Sequence, residues 1–398
     1  MNADGTVIGG HQRLFVLRDL GYSEADVAVV DLSKADEKAL NIALNKISGE
    51  WDEEKLAAIF AELDADGYDL SLTGFTPDEL SALTVQMSES NVDLEKADED
   101  IPVEPIVPFS KMGDVWNIGR HRLICGDSTK QETYETLMQG DLARLIVTDP
   151  PYNVDYEGGA GKIMNDSMDS DSFRDFLNDM YSAAASVTAD GAGAYIFHAD
   201  NEGVAFREEF QRAGFLLKQC LIWAKNTFVL GRQDYQWRHE PILYGWKDGA
   251  AHYFTEQRNL STVIDESGRP DIESMSREEM AELLSIIYDE IDLEQTTVLY
   301  CDKPLRNAEH PTMKPTALVA RLIENSSKPG WTVLDMFGGS GSTLIAAEAT
   351  GREARLIELD PKFVDVIVKR YASVTGKRDI TLVRNGMEIP VEETGILD

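Results

Sequence analysis

Residues 330–360 read GWTVLDMFGGSGSTLIAAEATGREARLIELD, and few folds accept that order of textures. An apolar strand ends in Asp335. A glycine loop (Gly338, Gly339, Gly341) enters a helix near Ser342, and a second apolar strand ends in Glu358. Strand, crossover helix and strand at this spacing make a βαβ unit, with both strands parallel in one sheet. Glycine lets the backbone come close to a ligand, and the helix N-terminus offers N–H groups. The loop is not a P-loop, because no Gly-Lys-Ser/Thr follows, and it is not the full G-x-G-x-x-G. By itself it also fits a structural βα turn. Glu358 suits a pair of ribose hydroxyls, as in dinucleotide folds, or a simple strand-end role. Asp360 and Pro361 read as the cap and first residue of the next helix.

The same alternation runs upstream. ARLIVTD, GAYIFHA, LLKQCLIWAK and EPILYGWK read as strands, with DSFRDFLNDMYSAAASV and EGVAFREEFQRAG as helices between them. A mostly parallel sheet with helices on both faces is expected. The strand LIVTD ends in Asp149, followed by Pro150, Pro151 and Tyr152. Ligands of open α/β sheets sit beyond the carboxyl ends of the strands, where this tetrapeptide falls. Prolines donate no N–H and stiffen the loop. The Asp149 carboxylate and the Pro150 carbonyl together can accept both hydrogens of an exocyclic amine, and Tyr152 can stack on a planar ring.

Residues 1–85 read as a small α+β domain. A helix is expected over His11–Leu20, stopped by Gly21, then a short buried strand at Val27–Leu32. EKALNIALNK and DEEKLAAIFAELDADG have helical spacing, and Thr76, Pro77 and Glu79 open another helix. Residues 86–108 are acidic and then proline-rich with little to bury, the texture of a linker. The stretch 248–309 breaks the βα rhythm and reads as an insertion with one acidic helix. Residues 389–398 read as a C-terminal tail.

Charge sets a constraint on partners. The chain has 37 basic and 71 acidic residues, a net of −34. The first 100 residues hold 7 and 23 of these, a net of −16. A nucleic-acid partner therefore needs a local basic cleft in an acidic body. The three cysteines, Cys125, Cys220 and Cys301, lie far apart, which disfavours a disulfide scaffold or zinc ribbon and fits a reducing cytoplasm. No metal is signalled, since His198, His239 and His310 are scattered. No apolar run is long enough to cross a bilayer.

Asp149-Pro-Pro-Tyr152 together with Phe337-Gly-Gly-Ser-Gly341 resembles the amino-group DNA methyltransferases, over roughly residues 109–388. The motif order resembles the permuted β class: catalytic half first, then the target-recognition insert (248–309), then the cofactor loop. The resemblance implies a Rossmann-like, permuted α/β methyltransferase sheet that uses S-adenosylmethionine to modify N6 of adenine or N4 of cytosine in double-stranded DNA. It implies catalytic roles for Asp149, Pro150, Pro151 and Tyr152, acting on a flipped base. It places Asp127 of RLICGDS, Thr312 and Lys314 of HPTMKP, Asp335, Phe337, Gly338, Gly339, Ser340, Gly341 and Glu358 at the cofactor. WAKN and RHEPILYG resemble strands beside the target pocket. Lys225, Arg232, Arg238, Arg258 and Arg306, with Lys162 and Lys314, are the basic residues expected to meet phosphate. A homodimer, common in the class, is also implied. Asp149 favours adenine, because the cytosine enzymes commonly carry Ser there.

IGGHQRLFVLRDLGY and the segment after it resemble the later half of a ParB-like domain, in which Gly9, Gly10, His11 and Arg13 match the phosphate-touching segment. The whole resembles phage or mobile-element methyltransferases, some of them restriction–modification partners. Methylation of a protein glutamine and a non-catalytic DNA-binding or partition-like adaptor are the other readings. The motif order and insert disfavour the first, and the intact Asp149, Tyr152, glycine loop and Glu358 disfavour the second.

Overall fold

The computed structural model describes residues 1–45, 56, 59–60, 63, 68–75, 92–94, 96–99, 101–154, 157–158, 161–162, 167–229, 234, 236–255, 263–265 and 314–397. The chain divides into two compact units, Met1–Glu89 and Ser90–Asp398.

In the first unit, α1 spans His11–Asp19 and α2 spans Lys34–Asn45. Gly10 precedes α1 with φ 88°, and Gly21 follows it with φ 85°, so the expected helix and its stop are both present. Ile42, Leu56, Phe60 and Leu63 form a small core, edged by Ala35, Tyr68 and Phe75. The buried strand expected at Val27–Leu32 is not there. Val27, Val29 and Val30 are exposed, and the segment makes only one isolated bridge, Val30 to Asn2. Among the described residues no strand lies beside this apolar run to bury it. The helix start at Thr76–Glu79 lies outside the described residues.

The described residues of the second unit form a mixed sheet between two helical layers, with a separate two-stranded ribbon. Its strands are β1 (Val115–Ile118), β2 (His121–Cys125), β3 (Ala143–Thr148), the two-residue ribbon β4 and β5 (Glu157–Gly158, Gly161–Lys162), and β6 (Thr188–Phe197). They continue with β7 (Phe215–Val229), β8 (Trp237–Lys247), β9 (Val263–Asp265), β10 (Thr332–Asp335), β11 (Glu353–Glu358), β12 (Ile380–Arg384) and β13 (Met387–Pro390). The helices are α3 (Gln131–Met138), α4 (Ser170–Ser186), α5 (Gly203–Arg212), α6 (Thr316–Ser326), α7 (Ser342–Ala349) and α8 (Pro361–Thr375). Eleven strands run in the order β13-β12-β1-β2-β11-β10-β3-β6-β8-β7-β9.

In the centre β2, β11, β10, β3 and β6 pair parallel; β1, β12 and β13 on one flank and β8 on the other pair antiparallel with their neighbours, and the edge strand β9 pairs parallel with β7. The expectation of a mostly parallel sheet is thus met in the βαβ core and corrected at its flanks. Short connections such as Gly119–Arg120 between β1 and β2 leave room only for hairpins.

Alternation along the strands feeds two cores. Tyr195 and Phe197 of β6 face the side covered by α6, α7 and α8, and Ala194 and Ile196 face the side covered by α3, α4 and α5. Asp360 accepts from the Lys362 N–H and Pro361 opens α8, as its sequence indicated. No helix among the described residues is long and apolar enough to cross a membrane.

Two segments read as peripheral belong to this body. In the stretch 86–108, expected to bury little, Ala97 and Asp98 are buried, and Val92 and Leu94 pack on the main core. Residues 389–398, expected as a tail, include the end of β13 and the buried Val391 and Ile396. In both cases a few apolar side chains in an acidic context find a partner surface, which local composition does not reveal. Replacing Ile396 with Ala is expected to cost ~2–4 kcal/mol, read as a shift of the denaturant midpoint at unchanged slope. A change within experimental error would return these residues to the status of a tail.

Candidate active site

The parallel pairing of β3 with β10, Leu145 beside Val333 and Ile146 beside Leu334, brings the two motifs side by side. Asp149 follows β3, and the glycine loop follows β10, on the same rim. Asp127 lies beyond the end of β2 and Glu358 ends β11, the parallel neighbours on the other side of β10. Four carboxylates thus line one edge of the parallel core. The Thr148 hydroxyl donates to Asp335 Oδ1 (2.8 Å) and accepts from the Met336 N–H (3.2 Å), tying the last residue of β3 to the loop after β10.

Asp335 is 4% exposed and also accepts from the Thr343 hydroxyl (2.6 Å) and the Phe337 N–H (3.1 Å). Three donors engage a carboxylate expected at the cofactor, so Asp335 acts here as a strut that shapes the loop. Burial pushes its carboxyl up to about 7 against those donors. Glu358 accepts from the Gly339 N–H (2.7 Å) and the Asp360 N–H (2.8 Å), one on each oxygen. Each oxygen keeps acceptor capacity for a hydroxyl. Burial pushes Glu358 up to about 7 as well. Asp127 accepts from the backbone N–H and hydroxyl of Thr129.

The loop is tight by necessity. Gly341 sits at φ 86°, and a Cβ there would lie 3.1 Å from Ile367. At Gly338 a Cβ would be 3.0 Å from the same side chain. Backbone, rather than side chains, therefore faces the rim between Asp335 and α7. The Ser340 carbonyl accepts from Arg370 (2.9 Å), and the Phe337 ring packs near Phe176.

Around Asp149 the charges alternate. Tyr152 Oη donates to Asp149 Oδ1 (2.6 Å), with Glu240 Oε2 also near the hydroxyl at 3.3 Å. Lys314 Nζ donates to Asp149 Oδ2 (2.6 Å) and pairs with Glu240 at 3.1 Å. Lys225 pairs with the other Glu240 oxygen. Lys314 is 7% exposed and lies over the rings of Tyr152 and Phe197. Burial pushes Asp149 above the ordinary carboxylate range, and Lys314 opposes that. Burial would also raise Glu240, but Lys314 and Lys225 together outweigh it and hold the carboxyl down at about 2. Burial would lower Lys314, yet the two carboxylates keep it above its ordinary value.

The structure thus brings together Asp149, Pro150, Pro151, Tyr152, Lys314 and the whole Asp335–Gly341 loop. Lys314, expected beside the cofactor, contacts Asp149. Lys225, expected at phosphate, is turned inward on Glu240 and stacks over Trp223. Arg238 is exposed and donates to the Lys225 carbonyl. Thr312, Arg232, Arg258 and Arg306 lie outside the described residues, as does the Lys162 side chain. Of the insert, only residues 248–255 and 263–265 are described. Glu240 was not singled out from the sequence. Its signal was a carboxylate at the junction between the basic Arg238–His239 and the apolar run from Pro241 to Tyr244.

Against known families, residues 143–369 match the DNA methylase family and residues 54–112 match a ParB-methyltransferase HTH domain, which runs across residue 85 and all of 86–108. Two similar curated proteins are the DNA adenine methyltransferase YhdJ of Escherichia coli K12 and the type II methyltransferase M.HpaI of Haemophilus parainfluenzae. YhdJ is 28% identical over 57% of this chain and 75% of its own length, and M.HpaI 24% identical over 63% and 74%. Similar solved structures include the M1.HpyAVI–SAM complex (TM-score 0.43, 20% identity, 62% of this chain and 97% of that one). Another is the cytosine-N4-specific PvuII DNA methyltransferase (0.45, 14%, 75% and 95%).

The raised Glu358 carboxyl has a measurable consequence. It stays protonated in the fold while the unfolded chain ionises near 4.5, so its contribution lowers stability as pH rises from about 4.5 to about 7. Glu358→Gln cannot titrate. Across that window the ligand-free wild type is expected to lose on the order of 3 kcal/mol relative to the variant. Parallel stability–pH curves for the two proteins would refute the assignment.

Proposed function

This chain belongs to the N6/N4 DNA methylase family, and on that footing we propose that it methylates N6 of a flipped adenine in double-stranded DNA, with S-adenosylmethionine as donor. The observation that carries the reading is the shared rim: the Asp149–Tyr152 loop and the glycine loop sit on adjacent strands, joined by the Thr148–Asp335 hydrogen bond. The relative YhdJ is a DNA adenine methyltransferase, which supports adenine over N4-cytosine, as does Asp149 in place of Ser.

The residues present fit the donor. Carboxylates at Asp127, Glu358 and Asp149 offer acceptors to a ligand that brings a cationic sulfonium and ribose hydroxyls. Glu358 and the close-packed glycine loop would hold it, with Asp127 toward its adenine. When bound, S-adenosylmethionine supplies an electrophilic methyl group.

The chain's own residues do the rest. Asp149 accepts one amine N–H and the Pro150 carbonyl the other, which turns the nitrogen lone pair toward the donor. Tyr152 holds Asp149 Oδ1 and presents its ring to the base. After transfer the amine must shed a proton, and Asp149, raised above its usual range by burial, is the nearby base to receive it. Lys314 occupies Asp149 Oδ2 in the ligand-free protein, so the entering amine must displace or share that ammonium. We propose the cytoplasm of a bacterial or phage-infected cell as the enzyme's location, where its DNA substrate would lie. We read the front unit as a ParB-like docking element and a homodimer as the means of widening the basic footprint.

Modified-base sequencing of DNA from cells expressing the chain is expected to show N6-methyladenine at one motif, reduced on the order of 10³-fold or more by Asp149→Ala. N4-methylcytosine alone would overturn the base assignment, and marks surviving in the mutant would remove Asp149 from the mechanism.

A second outcome concerns Lys314. Lys314→Met removes a charge that favours the Asp149 carboxylate, so burial raises that carboxyl further. Activity needs the ionised form, so the acidic limb of kcat against pH is expected to move to higher pH. An unmoved limb would show that Lys314 does not act on Asp149.

A further inference from the structure

Arg370 stands where an apolar-periodic helix would carry a hydrophobe. It is fully buried on α8 between Ile367 and Tyr371. Its guanidinium joins three segments that are far apart in sequence. The two hydrogens of Nη2 are shared among Asp98 Oδ1 (2.6 Å), the Ala97 carbonyl (3.0 Å) and Thr316 Oγ1 (3.0 Å). Nη1 donates to the Ser340 carbonyl (2.9 Å) of the glycine loop and reaches the Ser340 hydroxyl (3.3 Å).

Asp98 does a second thing. α6 begins after Pro315, whose side chain has no acceptor to cap it. Asp98 Oδ2 accepts the Thr316 N–H (2.8 Å), and Oδ1 accepts the Thr316 hydroxyl. An orphan amide at the start of α6 is thus satisfied from a segment more than two hundred residues away. Thr316 is two residues from Lys314, and the Lys314 carbonyl accepts from the Ser342 hydroxyl at the start of α7 (2.9 Å). One buried carboxylate therefore braces both the glycine loop and the backbone that presents Lys314 to Asp149.

We propose that Asp98 is a positioning residue for the methyl-donor site: through Arg370 it sets the Ser340 carbonyl and the glycine loop, and by capping α6 it fixes the approach of Lys314. The proposal rests on the reading of that loop as the S-adenosylmethionine site. Asp98 falls before residue 143, outside the stretch that matches the DNA methylase family, and inside the 54–112 match to the ParB-methyltransferase HTH domain. The segment preceding the methylase match thus supplies part of the catalytic body.

The test uses the full chain, with Asp98→Asn, which removes the charge facing Arg370, and Asp98→Glu, which keeps the charge but displaces it by a methylene. Asp93→Asn, on the exposed Lys96–Asp93 pair of the same segment, is the control. S-adenosylmethionine binding is measured by calorimetry, and amide exchange of residues 338–343 is measured without ligand. The expected result is an S-adenosylmethionine Kd weakened about tenfold in both Asp98 variants, comparable to one lost charge-assisted hydrogen bond. Exchange in the loop is faster, and the control behaves as wild type.

A purely structural role would lower the folded fraction while each folded molecule kept the wild-type Kd, and that result would overturn the proposal. Should Asp98→Asn fail to fold, Asp98→Glu decides by the same criterion, and faster loop exchange in neither variant counts against it. A wild-type chain that binds no S-adenosylmethionine would instead overturn the functional reading itself, and the proposal with it.

Discussion

The parallel pairing of β3 with β10 is the constraint on which the rest of the active site depends. Two motifs almost two hundred residues apart meet because their strands are neighbours that end on the same rim. Parallel pairing alone fixes direction but tolerates small slips of the loops beyond the strand ends. The Thr148–Asp335 hydrogen bond removes that freedom, since the residue before Asp149 is bonded to the residue before the glycine loop. Burying Asp335 is unfavourable for its charged form, and the three donors around it partly offset the desolvation. The loop geometry is thus held by a carboxylate that has little capacity left for a ligand.

A second network governs the reacting end. Lys225, Glu240, Lys314 and Asp149 form an alternating row of charges with no net charge, so each group is stabilised by an opposite neighbour. Such a row is costly to desolvate and equally costly to break at one member. It holds Asp149 ready as an acceptor while keeping its carboxylate matched before substrate arrives. A neutral amine offers Asp149 a weaker partner than Lys314 does. Base entry therefore depends on the remainder of the pocket, including the stacking surface of Tyr152.

Much of this was legible in the sequence, for physical reasons that differ by residue. The βαβ order, the strand ends at Asp149 and Glu358, the glycine positions and the Asp360–Pro361 helix start follow from local rules that a short window contains. The antiparallel flanks were not legible, because β1, β12 and β13 are short and their pairing partners are set by tertiary packing. Val27–Leu32 shows the reverse error: apolar and β-branched residues predict a buried strand, but among the described residues no strand lies beside them. Glu240, Arg370 and Asp98 were missed because each matters only through a partner distant in the chain. Arg370 did leave a trace, a charge on the apolar stripe of α8, and such a charge demands a buried partner. Asp98, one acid among many in 93–100, left none.

The physical catalytic unit is larger than the homologous one. The stretch that matches the methylase family begins at residue 143 and ends at 369. A piece cut to those limits would lack β2, the parallel partner of β11, and with it Asp127. It would expose the unpaired edge of β11 next to Glu358, in a sheet whose central strands are buried on both faces. It would stop one residue short of Arg370 and omit Asp98, leaving the glycine loop and the start of α6 without their shared brace. Sequence similarity marks the residues that line the reaction. The hydrogen-bond inventory shows which further residues must be present for that lining to keep its shape.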